Sequence, residues 1–165
     1  MTMDELKGFI CRFFNSMELG CSFVKGPTSK PAPKGKYVSV GVSRVEQYGS
    51  MMVPTAGKEA PFVTQQVASV TFTEVEGDGD TLRAVRNALQ GQNFREYARG
   101  KGFTVWTPGS IMAIDTFDGE FVVRQWRMEC GMNFEDVERI DVEKIESVEP
   151  LDIREFNETE EAMNG

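Results

Sequence analysis

The sequence predicts an α+β fold, an antiparallel (mixed) β-sheet with an N-terminal helix and a central helix packed on one face. Two observations carry this. Apolar residues recur at helical spacing in two separate stretches, and elsewhere they alternate with polar residues as half-buried strands require. No βαβ unit repeats, so the helices gather on one side of a largely antiparallel sheet.

The first helix is expected from about Asp4 to Glu18. Leu6, Phe9, Ile10, Phe13, Phe14 and Met17 form one wide apolar stripe. Thr2 and Glu5 have the capping-box spacing, in which each side chain accepts from an orphan backbone N–H of the first turn. Gly20 offers a place for the chain to leave the helix. A short apolar piece, Ser22 to Lys25, follows. Next comes a loop from Gly26 to Lys36, with Pro27, Pro31 and Pro33 unable to donate to a ladder. Lys25, Lys30, Lys34 and Lys36 make this loop locally positive, but no aromatic is interleaved to stack on bases, so it reads as solvated.

From Tyr37 to Val45, Val38, Val40 and Val42 share one strand face. From Val67 to Val75, Ala68, Val70 and Phe72 do the same. The long connection between them, Glu46 to Gln66, holds Tyr48, Met51, Met52, Val53 and Phe62. Its flanks extend the two strands into a projecting β-hairpin arm, whose methionines and aromatics would be adaptable contact surface, or the segment folds onto its own core.

The central helix is expected from Asp80 to Gln90, with Leu82, Val85 and Leu89 buried and Asp80 as its N-cap. After Gly91 a further helical segment, Phe94 to Arg99, ends at Gly100. Strands are predicted at Phe103–Trp106, Ile111–Phe117 and Phe121–Met132. Asp118-Gly119 between apolar runs is a hairpin signal. In the long strand Val122, Trp126, Met128, Cys130 and Met132 are assigned to the core face. Arg124 falls on that side too, which places it near a sheet end, beside a bulge or in a paired site. Ile140 to Val148 reads as a closing edge strand. One domain, residues 1–150, is expected, followed by an acidic C-terminal tail, residues 151–165.

A chain of 165 residues can bury roughly 68–70% of its unfolded surface, so a core needs neither disulfide nor metal. The net charge is −8, and it is unevenly spread. Residues 135–165 hold twelve acidic and three basic residues, and residues 1–134 fifteen basic and fourteen acidic. Such an acidic end stays solvated or docks on a basic partner. The start, Met1-Thr2-Met3-Asp4-Glu5, lacks a basic region followed by an apolar stretch, so folding and assembly in the cytoplasm are expected.

Histidine is absent, which removes Ser-His-Asp and Cys-His catalysis and the usual zinc sites. Cys11, Cys21 and Cys130 lack metal or redox spacing and read as buried thiols. The acidic turn Glu76-Gly77-Asp78-Gly79-Asp80 fails as a calcium loop, because Thr81 and Asn87 stand where glycine and glutamate are required. Asp115, Asp118 and Glu120 flank a tight turn, where carboxylates are normally exposed. Arg124 and Trp126 are placed to stack as structural packing. No catalytic, cofactor-binding or metal-binding residue is assigned.

Over roughly Asp4 to Val148 the chain resembles the tail-terminator and neck-protein family of long-tailed bacteriophages. The likeness rests on the amphipathic first helix and the extended stretch from Pro31 to Val38 that leads into a strand. It rests also on the strand Gln66 to Phe72, the helix near Asp80, the late strand Arg124 to Cys130, and the closing stretch Val142 to Val148. The resemblance implies a structural virion protein. It would form a ring, commonly of six subunits, at the head-proximal end of the tail, terminating tube polymerisation and joining tail to neck. Implied partners are further copies of itself, the tail-tube protein, a neck or head-completion protein, and a sheath protein where the tail has one. DNA would be met only as the passing genome, and no membrane is implied. Tyr48, Met51, Met52, Val53 and Phe62 in the arm, with Arg154 and Phe156 after Pro150, are the candidate assembly contacts. The alternatives are another head-tail connector or tail-completion protein of the neck, and a small carboxylate- and magnesium-dependent enzyme.

Overall fold

A computed structural model describes residues 1–27, 31–52, 59–119 and 121–141. Helix α1 spans Met3–Asn15 and opens with the expected capping box. The Glu5 backbone N–H donates to Thr2 Oγ1 at 3.2 Å, and the Thr2 N–H donates to Glu5 Oε2 at 2.7 Å. The helix stops three residues before the expected Glu18, because Asn15 turns to the next element. Its side-chain amide both donates to Phe23 O (3.0 Å) and accepts from Phe23 N (2.8 Å), pinning the first strand. Met17 therefore lies beyond the helix and is 40% exposed.

Strand β1 (Ser22–Lys25) runs parallel to β2 (Tyr37–Met52), which pairs antiparallel with β3 (Glu59–Val75). Helices α2 (Asp80–Gln90) and α3 (Gln92–Gly100) follow, then β4 (Phe103–Val105), β5 (Met112–Asp118) and β6 (Phe121–Asp141). The sheet is ordered β1-β2-β3-β6-β4, and β5 also pairs with β6. It is thus a mixed sheet with its helices on one face. Ile140 and Asp141 are the end of β6, opposite Ala60 and Glu59, so the expected closing strand does not start afresh at Ile140. The rest of that expected strand and the acidic tail lie outside the described residues.

One face of the sheet supplies the core. Val38, Val40, Ala68, Val70, Phe72, Met128, Cys130 and Met132 meet Leu6, Ile10, Phe14, Leu82, Val85, Leu89 and Phe94 from the helices. Phe14 is the hub. Its ring stacks between Phe23 (5.1 Å) and Phe94 (5.5 Å) and meets Phe72 edge-on at 5.9 Å. Such geometry adds about 0.5–1.5 kcal/mol per pair to the burial of the rings.

The start of α2 corrects one expectation. Gly79, not Asp80, is the N-cap residue, and it offers no side-chain cap. Asp78 Oδ1 accepts from the Asp80 N–H at 3.1 Å, and the fully buried Glu74 reaches from β3 to accept from the Leu82 N–H at 3.2 Å. Gly79 stands at φ 88°, and a Cβ there would lie 3.0 Å from the Trp126 indole. A left-handed residue pressed by a ring admits only glycine, which excludes the capping side chain that the sequence suggested. The other oxygen of Glu74 lies 3.1 Å from Lys36 Nζ. Burial opposes the Lys36 charge, but the hydrogen bond and attraction from Glu74, with Asp78 at 3.7 Å, hold its pKa above the usual value. One carboxylate thus joins the incoming loop, the central strand and the helix start.

Candidate assembly surface

Three strands outrun the helices. The expected two-stranded arm is present as far as Met52 on one side and from Glu59 on the other, and the C-terminal part of β6 joins it as a third strand. In the shared register Met51 pairs with Val63, and Val63 with Val137. Directly paired residues project from the same face, so these three make one apolar rung across the arm. Met51 is 62% exposed and Val137 55%. The rung lies on the sheet face opposite the helices, because Val63 and Val137 lie an odd number of residues along their strands from the core-facing Ala68 and Phe134.

Around the rung the arm is polar. Gln65 Nε2 donates to Glu135 Oε1 at 3.4 Å, Thr64 Oγ1 donates to Asp136 O at 3.4 Å, and Arg44 pairs with Glu46. An apolar rung within polar surroundings is the pattern of a contact surface with a polar rim.

Tyr48 projects where the register slips between Gln47 and Ser50, and is 63% exposed. Phe62 is half-buried and, paired with Glu138, points to the helix side, away from Met51. The arm's two faces therefore separate residues that the sequence grouped together. Met52 ends β2 opposite Phe62. The Met52 side chain, with Val53, Arg154 and Phe156, lies outside the described structure.

A second exposed region was not foreseen. β3 ends at Val75 opposite Gln125, so residues 121–124 of β6 pair with β5 alone. Val122, expected in the core, is 57% exposed, and Phe117 opposite it is 79% exposed. Val122 does keep the alternation of the core face, but no helix among the described residues reaches this far to cover it. The turn itself is as expected, with Gly119 at φ 62°. Arg124 is exposed at this sheet end, one of the three placements its position allowed. Apolar residues flanking a hairpin turn, beyond the partner strand's end, were the signal available in the sequence.

No reaction centre is assembled from the described side chains. Among the described residues no group of three metal-ligand side chains converges. Asp78 is held below the usual carboxylate range, first by the backbone N–H of Asp80, which fits a helix cap. The side chains of Asp115, Asp118 and Glu120 lie outside the described structure. The three cysteines are unpaired. Burial pushes the thiols of Cys11 to about 11 and Cys130 to about 12 and raises that of Cys21, so none is a thiolate at neutral pH. No helix among the described residues is long and apolar enough to cross a membrane.

A family model described as phage neck terminator protein matches residues 3–160. The chain belongs to that family. As a phage neck terminator it is a structural component of the virion, and its place at the neck implies contact with other tail and neck proteins. The matched range includes both the arm and the hairpin. Comparison with curated proteins finds no match.

Proposed function

We propose that this neck terminator forms a ring of six copies at the head-proximal end of the tail. There it halts tube polymerisation and joins the tail to the neck by surface contact alone, without catalysis. The observation that carries this reading is the three-stranded arm, which presents the Met51–Val63–Val137 rung outside a core already complete without it. Membership in the neck-terminator family supplies the setting.

A closed ring needs two unlike surfaces that meet head-to-tail. Among the described residues the sheet has two open edges of this kind. β1 covers β2 only from Tyr37 to Val40, so among the described residues the outer edge of β2 beyond that point has no strand beside it. On the opposite side β5 is an outer strand. Exposed edges are templates for pairing with another chain. Tyr48, Met51, Met52, Val53 and Phe62 in the arm are the proposed contacts to a neighbour or the tube, and Arg154 and Phe156 are proposed contacts beyond it. One ring face would copy the next tube layer, and the other would offer no tube-binding edge. The lack of histidine and the raised thiol pKa values support the non-catalytic reading.

The test is to add the purified chain to polymerising tail-tube protein. The expected result is shorter tubes, each capped at one end by density of about 111 kDa, six chains of 18.5 kDa. Tubes of unchanged length, with the chain bound to portal assemblies instead, would assign it to head closure.

A further inference from the structure

The stretch that builds α2 and α3 is locally basic. From Asp80 to Lys101 there are five basic residues against two acidic, Asp80 and Glu96. Between α1 and α3 lies a groove made of two adjoining depressions of about 480 and 370 Å³, which share Phe13 and Ser16. Phe13 and Tyr97 floor it, the 40%-exposed Met17 closes one end, and Arg12 and Lys101 stand at the other. Both cations converge on one ring. The Arg12 guanidinium carbon lies 4.9 Å from the Phe9 ring centroid, and Lys101 Nζ lies 5.5 Å from it.

Among the described residues neither Arg12 nor Lys101 has a carboxylate within ion-pair distance. Two like charges over a single ring repel one another, and a carboxylate arriving between them relieves that repulsion. The groove thus fits an occupant that is acidic and apolar together.

The chain itself carries such a segment. Residues 142–165 hold eight acidic residues and two basic ones. Within them Leu151, Ile153 and Phe156 are interleaved with Asp152, Glu155 and Glu158. The exit point is also compatible. β6 passes Phe103 of β4, which directly follows α3, at Phe134 and ends at Asp141, a run of about 23 Å at strand rise. Residues 142–150 span up to about 30 Å when extended, enough to return residue 151 to the helical layer.

We propose that the acidic–apolar segment 151–158 docks intramolecularly in the Arg12–Phe13–Tyr97–Lys101 groove, with its carboxylates on the two cations and its apolar side chains on the ring floor. Linkage within one chain gives a high effective concentration, so modest contacts suffice. The docking belongs to the free chain, and Arg154 and Phe156 leave the groove when they take up the assembly contacts proposed above. It makes the groove a surface that any acidic partner must compete for.

The test uses the full chain with the photoreactive analogue p-benzoylphenylalanine in place of Phe156, irradiated over a dilution series. Adducts are mapped by peptide mass. The proposal expects cross-links to peptides spanning residues 9–17 and 92–101, within chains of monomer mass, at a yield independent of concentration. R12E with K101E lowers that yield by about tenfold, the effect of roughly 1.4 kcal/mol from lost and reversed ion pairs. Adding D152K with E155K to that variant restores it, and the restoration separates charge pairing from damage to the fold. Cross-links elsewhere, a yield indifferent to the charge reversal, or groove adducts found only at twice the chain mass would overturn intramolecular docking. The last result would give the groove to a neighbour's segment instead.

Discussion

Around Phe14 the sheet is covered: the ring has no exposure, and Leu6, Ile10, Val70 and Phe72 beside it have none either. Farther along β3 and its neighbours, Met51 and Val137 flank Val63 with more than half their surface in water. Both regions are built from alternating strands in one register. They differ in what lies above them, because α1, α2 and α3 cover only the central part of the sheet. Strand length beyond the helical layer thus adds little to the buried core among the described residues. It is surface held in place by the core, available for contact with another molecule.

That contrast has measurable consequences, beginning with the largest. Phe14→Ala should destabilise the chain by about 3–5 kcal/mol, as truncation of a fully buried aromatic does, read as a shifted midpoint in urea. A loss under about 1 kcal/mol would show that the helical layer is not the stabilising half.

The Glu74 junction comes next. Glu74→Ala leaves the Leu82 N–H and Lys36 without their acceptor. It should cost about 3 kcal/mol, the low end for a broken buried pair, because Lys36 is one-third exposed. Combined with Lys36→Met, the double variant should cost less than the sum of the two single ones. Strict additivity would mean that the pair is not coupled.

Thr2→Ala should cost about 1 kcal/mol by removing the cap of α1. Hydrogen bonds from Thr2, chiefly from its backbone N–H, hold the Glu5 carboxyl below its ordinary 4.5. Its contribution is therefore present above pH 4.5 and lost as pH falls through the lower folded value. Thr2→Ala removes only the side-chain part, the hydrogen bond from Thr2 Oγ1 to Glu5 Oε2 at 3.1 Å, so its difference should be largest at neutral pH and shrink slightly in acid melts. A difference that grows on acidification would contradict the capping geometry.

At the small end, Val137→Ala and Phe117→Ser should each move stability by no more than about 0.5 kcal/mol, as exposed positions do. A larger loss would mean that these residues serve the fold.

Much of the covered region is legible in the sequence. The stripe Leu6–Phe9–Ile10–Phe13–Phe14 and the alternation of Val38, Val40, Val70 and Phe72 depend on periodicity alone, and periodicity is local. The start of α2 was less legible. Asp80 is a good cap by type, but the Gly79–Trp126 contact and the reach of Glu74 join residues distant in sequence. Alternation likewise placed Val122 on the core-facing side of β6, and the end of β3 at Val75 was expected, but not the register that pairs Val75 with Gln125 and leaves Val122 beyond it. The arm's existence followed from its flanks. Its third strand and the separation of Met51 from Phe62 required the register, which one strand read alone does not contain.

The central claim is that the arm serves contact and not folding. The direct measurement is binding to tail-tube ends by the wild-type chain and by a Met51→Asp/Val137→Asp variant, with thermal melts of both. Melts that agree within about 1 kcal/mol and an at least tenfold weaker association are expected, since two carboxylates would be buried unpaired on the apolar rung. Unchanged association by a variant that melts normally would contradict the claim.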